Sequence, residues 1–547
     1  MTIRSNYSAS LVFLALLTSN NLFGNVFNVQ DFGAKGDGVI LDSPAINQAI
    51  EAASDAGGGE VILPAGDYLS YTIRLKSDII LKLGAGCTLI AADPSGYDAP
   101  EAIEWNEYQD FGHSHFRNSL IWGENLQNVT ITGPGLIYGR GLSRGNGPIA
   151  SPLGSPPPAA IDGLLPDVLV ADGEFEIPSR PDIVPGPFNH PNERDTLADG
   201  VANKAIALKS CRNVTLKDFS MLHGGHFAII ATEVNNLTID NLLIDTNRDG
   251  MDIDACSNVK ISNCSVNSPW DDAICLKSSH ALGEARLTEN VSITNCFVSG
   301  YDEGTLLDGT RKTTWKTRGG PHGRIKLGTE SGGGFRNISI SNCVFYHCRG
   351  LALEQVDGGI LEDIVISNVT MREVQNAPLF IRLGARLRNP EATGPGNVAR
   401  ISINNLTAWD IAPEHGIIIA GLPGHRIKDV SLSNIQLHYQ GGGTLEQAAR
   451  DVPEMARDYP DPYNFGTMPS WGMFARNVEN LSLSSVQFHV EEEDNRPCLF
   501  LEDVVDSRIF NTSIFNPSQL PQTKLTAVEN LETRSVTGLE DGKLNAY

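Results

Sequence analysis

Beyond its first two dozen residues the chain has no apolar run long enough to cross a bilayer, so membrane-spanning helices are excluded there. No helical period is sustained, which sets helical bundles aside. Basic charge is scarce: 41 Lys and Arg stand against 65 Asp and Glu, a formal net charge of -24. Nucleic acid is thereby excluded as a partner, because its phosphates would be repelled. An acidic polymer would also be repelled, unless local cations override the net figure. Nine cysteines are present, an odd number with no Cys-x-x-Cys pair, so no metal knuckle is expected.

What the chain does have is a repeat. Asn, aliphatic, polar, aliphatic, polar, Asn or Asp recurs as NVTITG from Asn128, NVTLKD from Asn213, NLTIDN from Asn236 and NVKISN from Asn258. It continues from Asn290, Asn337, Asp363, Arg400, Asp429 and Asn480. The tightest spacings are 22, 23 and 26 residues. Aliphatic residues alternating with Ser and Thr indicate strands with one buried face. A strand repeat with a period in the twenties indicates a β-solenoid, and the long leucine consensus of the rival leucine-rich repeat is missing. The expected fold is all-β: a single-stranded, right-handed parallel β-helix of about ten coils. Cys264, Cys296 and Cys343 each follow Asn in the repeat, so they are expected as inward thiols stacked coil on coil, with disulfides left open.

At the N-terminus, Arg4 precedes the apolar stretch Leu11 to Leu17, and small residues surround Gly24. This pattern predicts a secretory signal over 1–24 and a secreted or periplasmic protein. The solenoid is expected over 25–515, followed by a C-terminal tail at 516–547. Ser43 to Ala53 reads as an amphipathic helix capping the open end of the coil stack. The Gly-, Pro- and Asp-rich stretch 140–200 and the segment 441–471 read as inserted loops. The second is expected to hold a short helix from Glu446 to Arg457 and then Tyr459, Tyr463, Phe465 and Trp471, which either stack on sugar rings or pack on the solenoid.

Asp249 and Asp271 lie 22 residues apart, one period, each at the head of a short apolar strand. Aligned by alternation, Met251 and Ile253, Ile274 and Leu276, Ile325 and Leu327, and Leu351 and Leu353 point inward. Asp252, Asp254, Lys277, Arg324, Lys326 and Glu354 then point outward. Asp249, Asp271 with Asp272, His322 and Arg349 stand just ahead of these strands. Stacking would gather acids, a histidine and cations on one strip, which is what acid/base cleavage of a sugar linkage needs. Asp252 and Asp254 are expected to be solvated or hydrogen-bonded turn residues. Asp245-x-Asn247-x-Asp249-Gly250 opens like a calcium loop, but Cys256 stands where the bidentate Glu belongs, and no metal is expected.

These motifs carry a family resemblance. NVQDFGAKGDG, AINQAIEAA and GGGEVILPAGDY are similar to the first coils of pectin-degrading β-helix enzymes, lyases included. NRDGMDID, PWDDAICLKS and Pro321-His322-Gly323 resemble three of the four signatures of glycoside hydrolase family 28, the polygalacturonase family. The fourth signature, Arg-Ile-Lys, stands at Arg324-Ile325-Lys326, directly after the histidine instead of one coil later. The family's position reads Arg349-Gly350-Leu351-Ala352-Leu353-Glu354, so its two cations map to Ala352 and Glu354.

The resemblance implies inverting hydrolysis of galacturonide linkages in pectin-type polysaccharides or oligosaccharides, of the polygalacturonase or rhamnogalacturonan type. It implies Asp271 as general acid, Asp249 and Asp272 as the pair activating water, and His322 as the residue setting the acid's charge state. Lys277, Arg324, Lys326, Arg382 and Glu354 are the candidate substrate-binding residues. No cofactor is expected, and a monomer is. The two long inserts, by walling one end of the groove, favour exo action. Two other readings stay open: a calcium-dependent polysaccharide lyase on the same scaffold, and a non-catalytic carbohydrate-binding solenoid.

Overall fold

The computed structural model describes residues 25–103, 113–143, 200–314 and 319–546. The predicted signal and most of the first insert lie outside these residues. What is described is one continuous parallel β-solenoid, each strand hydrogen-bonding to its counterpart one coil on. The site-bearing column runs from Ile73 to Thr523 in thirteen rungs. That exceeds the ten coils read from the repeat, because the first coils and the last strand stack in the same column without carrying the Asn motif.

The motif has a local cause. Asn213, Asn236, Asn258, Asn290 and Asn337 all adopt φ between 55° and 62°, the left-handed conformation a sharp corner needs. Asn tolerates that conformation better than other side-chain-bearing residues. Their amides link the coils: Asn236 donates to Asn213 at 2.9 Å and Asn337 to Asn290 at 2.8 Å. Between corners the aliphatic residues turn inward, as Val214 and Leu216 pair with Leu237 and Ile239, all buried. Each buried Leu or Ile contributes roughly 1.5–3 kcal/mol, so a column of them outweighs any single surface contact. Cys264, Cys296 and Cys343 occupy one inward column as expected, and all nine cysteines are buried free thiols.

Both ends are closed. A helix, α1 (Ser43–Asp55), buries Ile46, Ala49, Ile50 and Ala53 against the first coil. At the other end the segment read as a tail adds a rung. Thr523–Val536 pairs in parallel with the preceding strands, and Gly542–Ala546 folds back antiparallel on it. The exposed edge is thus covered by a hairpin.

The helix expected over Glu446 to Arg457 is only Leu445–Ala448, opened by a capping box between Thr444 and Gln447. Pro453 explains the early stop: it has no N–H to give, and it disfavours helical geometry at Val452. The rest of this insert lies on the solenoid. From Ala352, on Glu354's own strand, outward positions turn apolar (Ala352, Phe380, Ile418, Phe474), and Phe465 and Met468 pack on them. Trp471 is buried against Tyr439 and Phe488.

Candidate active site

Four strands carry the site: β1 (Asp249–Asp254), β2 (Ile274–Ser278), β3 (Ile325–Ser331) and β4 (Leu351–Gln355). Their register matches the alignment by alternation. Met251 pairs with Ile274, Ile274 with Ile325, and Leu327 with Leu353. Backbone bonds zip the segments ahead of the strands together. Gly250 donates to the carbonyl of Asp272 at 3.0 Å, Gly323 to that of Asp271 at 2.9 Å, and Ala273 to that of Arg324 at 2.9 Å. Two glycines permit this closeness. A Cβ on Gly250 would lie 2.4 Å from the carbonyl oxygen of Ala273, and one on Gly323 would lie 2.2 Å from that of Ser299.

Asp249, Asp271, Asp272 and His322 consequently head three successive rungs. One oxygen from each of Asp271 and Asp272 and one ring nitrogen of His322 lie within 4.8 Å of one another. A divalent cation there would compete with cations already against the same carboxylates. Arg324 Nε donates to Asp272 at 2.8 Å, Lys326 Nζ lies 3.2 Å from it, and Arg248 Nη2 donates to Asp271 at 3.0 Å.

Asp249 and Asp272 are shifted in opposite directions. Burial, then Asp252 and Asp271, raises the proton affinity of Asp249 well above that of an ordinary carboxyl. Its Oδ1 has no hydrogen-bond partner. Burial would raise Asp272 too, but Lys326 and Arg324 overcome it and hold this carboxylate ionised. His322 is pushed down to about 3 by burial and by Arg349, so its ring is neutral. Its Nδ1 stands 3.9 Å from Asp271, beyond hydrogen-bond reach. The side chains of Asp271 and His322 keep about a fifth of their surface (22% and 23%), whereas Asp249 and Asp272 are nearly covered. Asp271 is therefore the carboxylate of the three most open to a ligand.

The candidate binding residues are placed deeper than expected. Lys277 is buried between Asp252 at 3.4 Å and Glu330 at 3.0 Å. Arg324 and Lys326 are 2% exposed and sit between Asp272 and Glu354, from which they stand 3.7 and 3.6 Å. Glu354 is fully buried, and that burial lifts it to about 7 despite the two cations. These residues form an internal ion network and do not face open solvent. Arg382 also departs from expectation. Its guanidinium donates to the carbonyls of Ala420, Gly421, Glu454 and Met455, fastening the 441–471 insert to the solenoid. Tyr459, from that insert, accepts a hydrogen bond from Lys326 at 3.1 Å while its ring stays partly exposed.

Asp252 and Asp254 are buried strand residues, not solvated turns. Asp252 meets His113 at 3.0 Å, and Asp254 accepts from Ser279. Asp245 accepts the backbone N–H groups of Gly304, Leu306 and Leu307, so the calcium-like segment has its first carboxylate already engaged. His223 pairs with Glu303 at 2.7 Å. Arg248 and His113 were not singled out from sequence. A cation inside the acidic run from Asp245 to Asp254 was the available signal for Arg248. A groove of about 960 Å³ lined by Arg212, Glu233, Arg286 and Glu289 lies past the C-terminal ends of the site strands, apart from the acid trio.

Two family models match the chain: "Rhamnogalacturonase A/epimerase, pectate lyase-like" over residues 26–143 and "Right handed beta helix region" over 196–316. The solenoid has the right-handed sense expected. An exo-poly-alpha-D-galacturonosidase of Dickeya chrysanthemi is 23% identical over 424 residues, 72% of this chain. The match spans 64% of that relative, just under two thirds of its length. A short stretch is 65% identical to a mannuronan C5-epimerase of Azotobacter vinelandii over 87 residues, 16% of this chain and 6% of that protein. Among solved structures, the family 28 exopolygalacturonase of Yersinia enterocolitica superimposes with a TM-score of 0.60 at 19% identity, over 95% of this chain and 79% of that one.

Proposed function

This chain is a relative of the polygalacturonases of glycoside hydrolase family 28, and on that premise we propose that it hydrolyses galacturonide linkages in pectin-type polysaccharides or oligosaccharides. The observation that carries the reading is the charge division within one zipped trio: Asp272 ionised by two buried cations, Asp249 proton-hungry, Asp271 open to a ligand. Asp271 gives its proton to the leaving oxygen as the C1–O bond breaks. Asp249, once it has released its own proton, and ionised Asp272 hold the water that forms the new bond to C1 from the opposite side, and that water's proton passes to Asp249. Such inversion needs acid and base carboxyls about 6.5–9.5 Å apart, so that water fits between them; Asp272 approaches Asp271 within 4.8 Å, so the far member of the base pair is Asp249. His322, neutral and beside Asp271, sets the polarity around the acid without adding a charge.

The same structure supports exo action. Tyr459 stands over Lys326, and the insert that carries it covers the outward face from Ala352 onward, closing the strip on that side. The protein is expected to act outside the cytoplasm and as a monomer. The test is incubation with homogalacturonan, rhamnogalacturonan and their oligomers, with products identified by mass. Hydrolysis adds the mass of water to a saturated sugar, and single-sugar release from the outset supports exo action. An unsaturated, ultraviolet-absorbing product would establish a lyase instead. Solvent deuterium entering an uncleaved chain at C5 would point to epimerisation.

A further inference from the structure

The cations around the trio fall into two kinds. Lys277, Arg324, Lys326 and Arg349 are buried, each against carboxylates of this chain. Arg248 differs. Its side chain keeps 18% of its surface, and it reaches one coil forward to Asp271, the most open of the three acids. Its Nε is buried with no hydrogen-bond partner, so the guanidinium fork is only partly used. A half-used fork beside a solvent-facing carboxylate is what a planar carboxylate ligand would complete.

We propose that Arg248 is the carboxylate receptor of this site: the uronide whose linkage is cut places its own carboxylate on the Arg248 fork and displaces Asp271, which, freed of the cation, takes up a proton from solvent and turns to the glycosidic oxygen. The assignment rests on the galacturonide reading above. It also resolves a difficulty in the resting structure, where the residue that must donate a proton is ion-paired with a cation. A substrate without the carboxylate leaves that ion pair intact and is selected against. Net acidity of the chain is then no obstacle, since one accessible cation at the reacting sugar provides the local attraction.

Two measurements test it. First, free-acid and fully methyl-esterified galacturonide oligomers are compared as substrates. Arg248→Gln should lower kcat/KM for the free acid by roughly 10- to 150-fold, the worth of a charge-assisted hydrogen bond, and collapse the preference over the ester. Arg248→Lys, which keeps the charge and loses the fork, should restore part of the preference. Equal losses on both substrates, or an unchanged preference, would overturn the assignment. Second, binding of a free-acid trimer is measured without turnover. Asp271→Asn releases Arg248 from its internal partner and should tighten binding by roughly 10-fold, a gain that vanishes in the Arg248→Gln, Asp271→Asn pair. If the gain persists in the pair, Arg248 is not the receptor. Absence of any galacturonide product from the unmodified protein would defeat the proposed function, while the binding cycle would still judge Arg248.

Discussion

Two strips of the solenoid use the same stacking in opposite ways. Along the asparagine corner, the coils from Asn128 to Asn337 repeat one residue in one conformation, and amides bond from coil to coil at the surface. Along the strip from β1 to β4, each coil presents a different charge to the next: Asp252 to Lys277, Asp272 to Arg324 and Lys326, and these to Glu354. The first arrangement is redundant, so losing one rung leaves the others intact. The second is a chain of buried ions in which each member's charge depends on its neighbours, and removing one strands another. Uniform stacking holds the fold. Broken stacking sets up the chemistry.

This contrast can be broken most sharply at the acid. Asp271→Asn should lower turnover of a galacturonide oligomer by about 10²–10⁴-fold, the usual contribution of a general acid, with oligomer binding retained. Loss of binding together with turnover would make Asp271 a structural residue of the strip.

Next in size is the ion network. Arg324→Met leaves buried Asp272 with one cation in place of two and should destabilise the fold by on the order of 3–5 kcal/mol in denaturant unfolding. A loss under 1 kcal/mol would show that the strip is as redundant as the corner.

A smaller effect concerns pH. Glu354 is raised in the folded state to about 7, above the ordinary 4.5, so folding favours its protonated form. Its stabilising contribution is complete below pH 4.5 and is lost as pH rises through about 7. Glu354→Gln should flatten that part of the stability–pH curve. Asp272, held low, acts with the opposite sign: its contribution is present above the ordinary Asp value and is lost only as the solution becomes strongly acidic. An unchanged curve in Glu354→Gln would mean that the side chain is not buried as described.

The smallest effect is at the corner. Asn290→Ala puts a left-handed residue in a less tolerant form and removes two ladder bonds, to Asn258 and from Asn337, a cost of about 1–2 kcal/mol, with activity untouched.

The same contrast explains what could be read from the chain alone. The fold and its register were legible because the corner repeats: Asn, aliphatic, polar, aliphatic fixes both the turn and the inward face. The gathering of Asp249, Asp271 and Asp272 followed from that register. The fate of the cations did not. Alternation says that Arg324, Lys326 and Glu354 point outward. It does not say that Tyr459, from more than a hundred residues later, reaches Lys326, or that the two cations are buried between Asp272 and Glu354. Arg382 looked like a substrate contact for the same reason; its partners are main-chain carbonyls of an insert, which no side-chain pattern encodes. The thirteen-rung column exceeded ten because coils can stack without the motif, given inward aliphatic residues such as Ile73 and Leu499.

The most direct test is a crystal structure of Asp271→Asn with a galacturonide oligomer bound. The account predicts a glycosidic oxygen within hydrogen-bond distance of residue 271 and a water held by Asp249 and Asp272 on the opposite side of the sugar. An oligomer seated in the groove lined by Arg212 and Glu233, or lying across the strip with no linkage near residue 271, would contradict it.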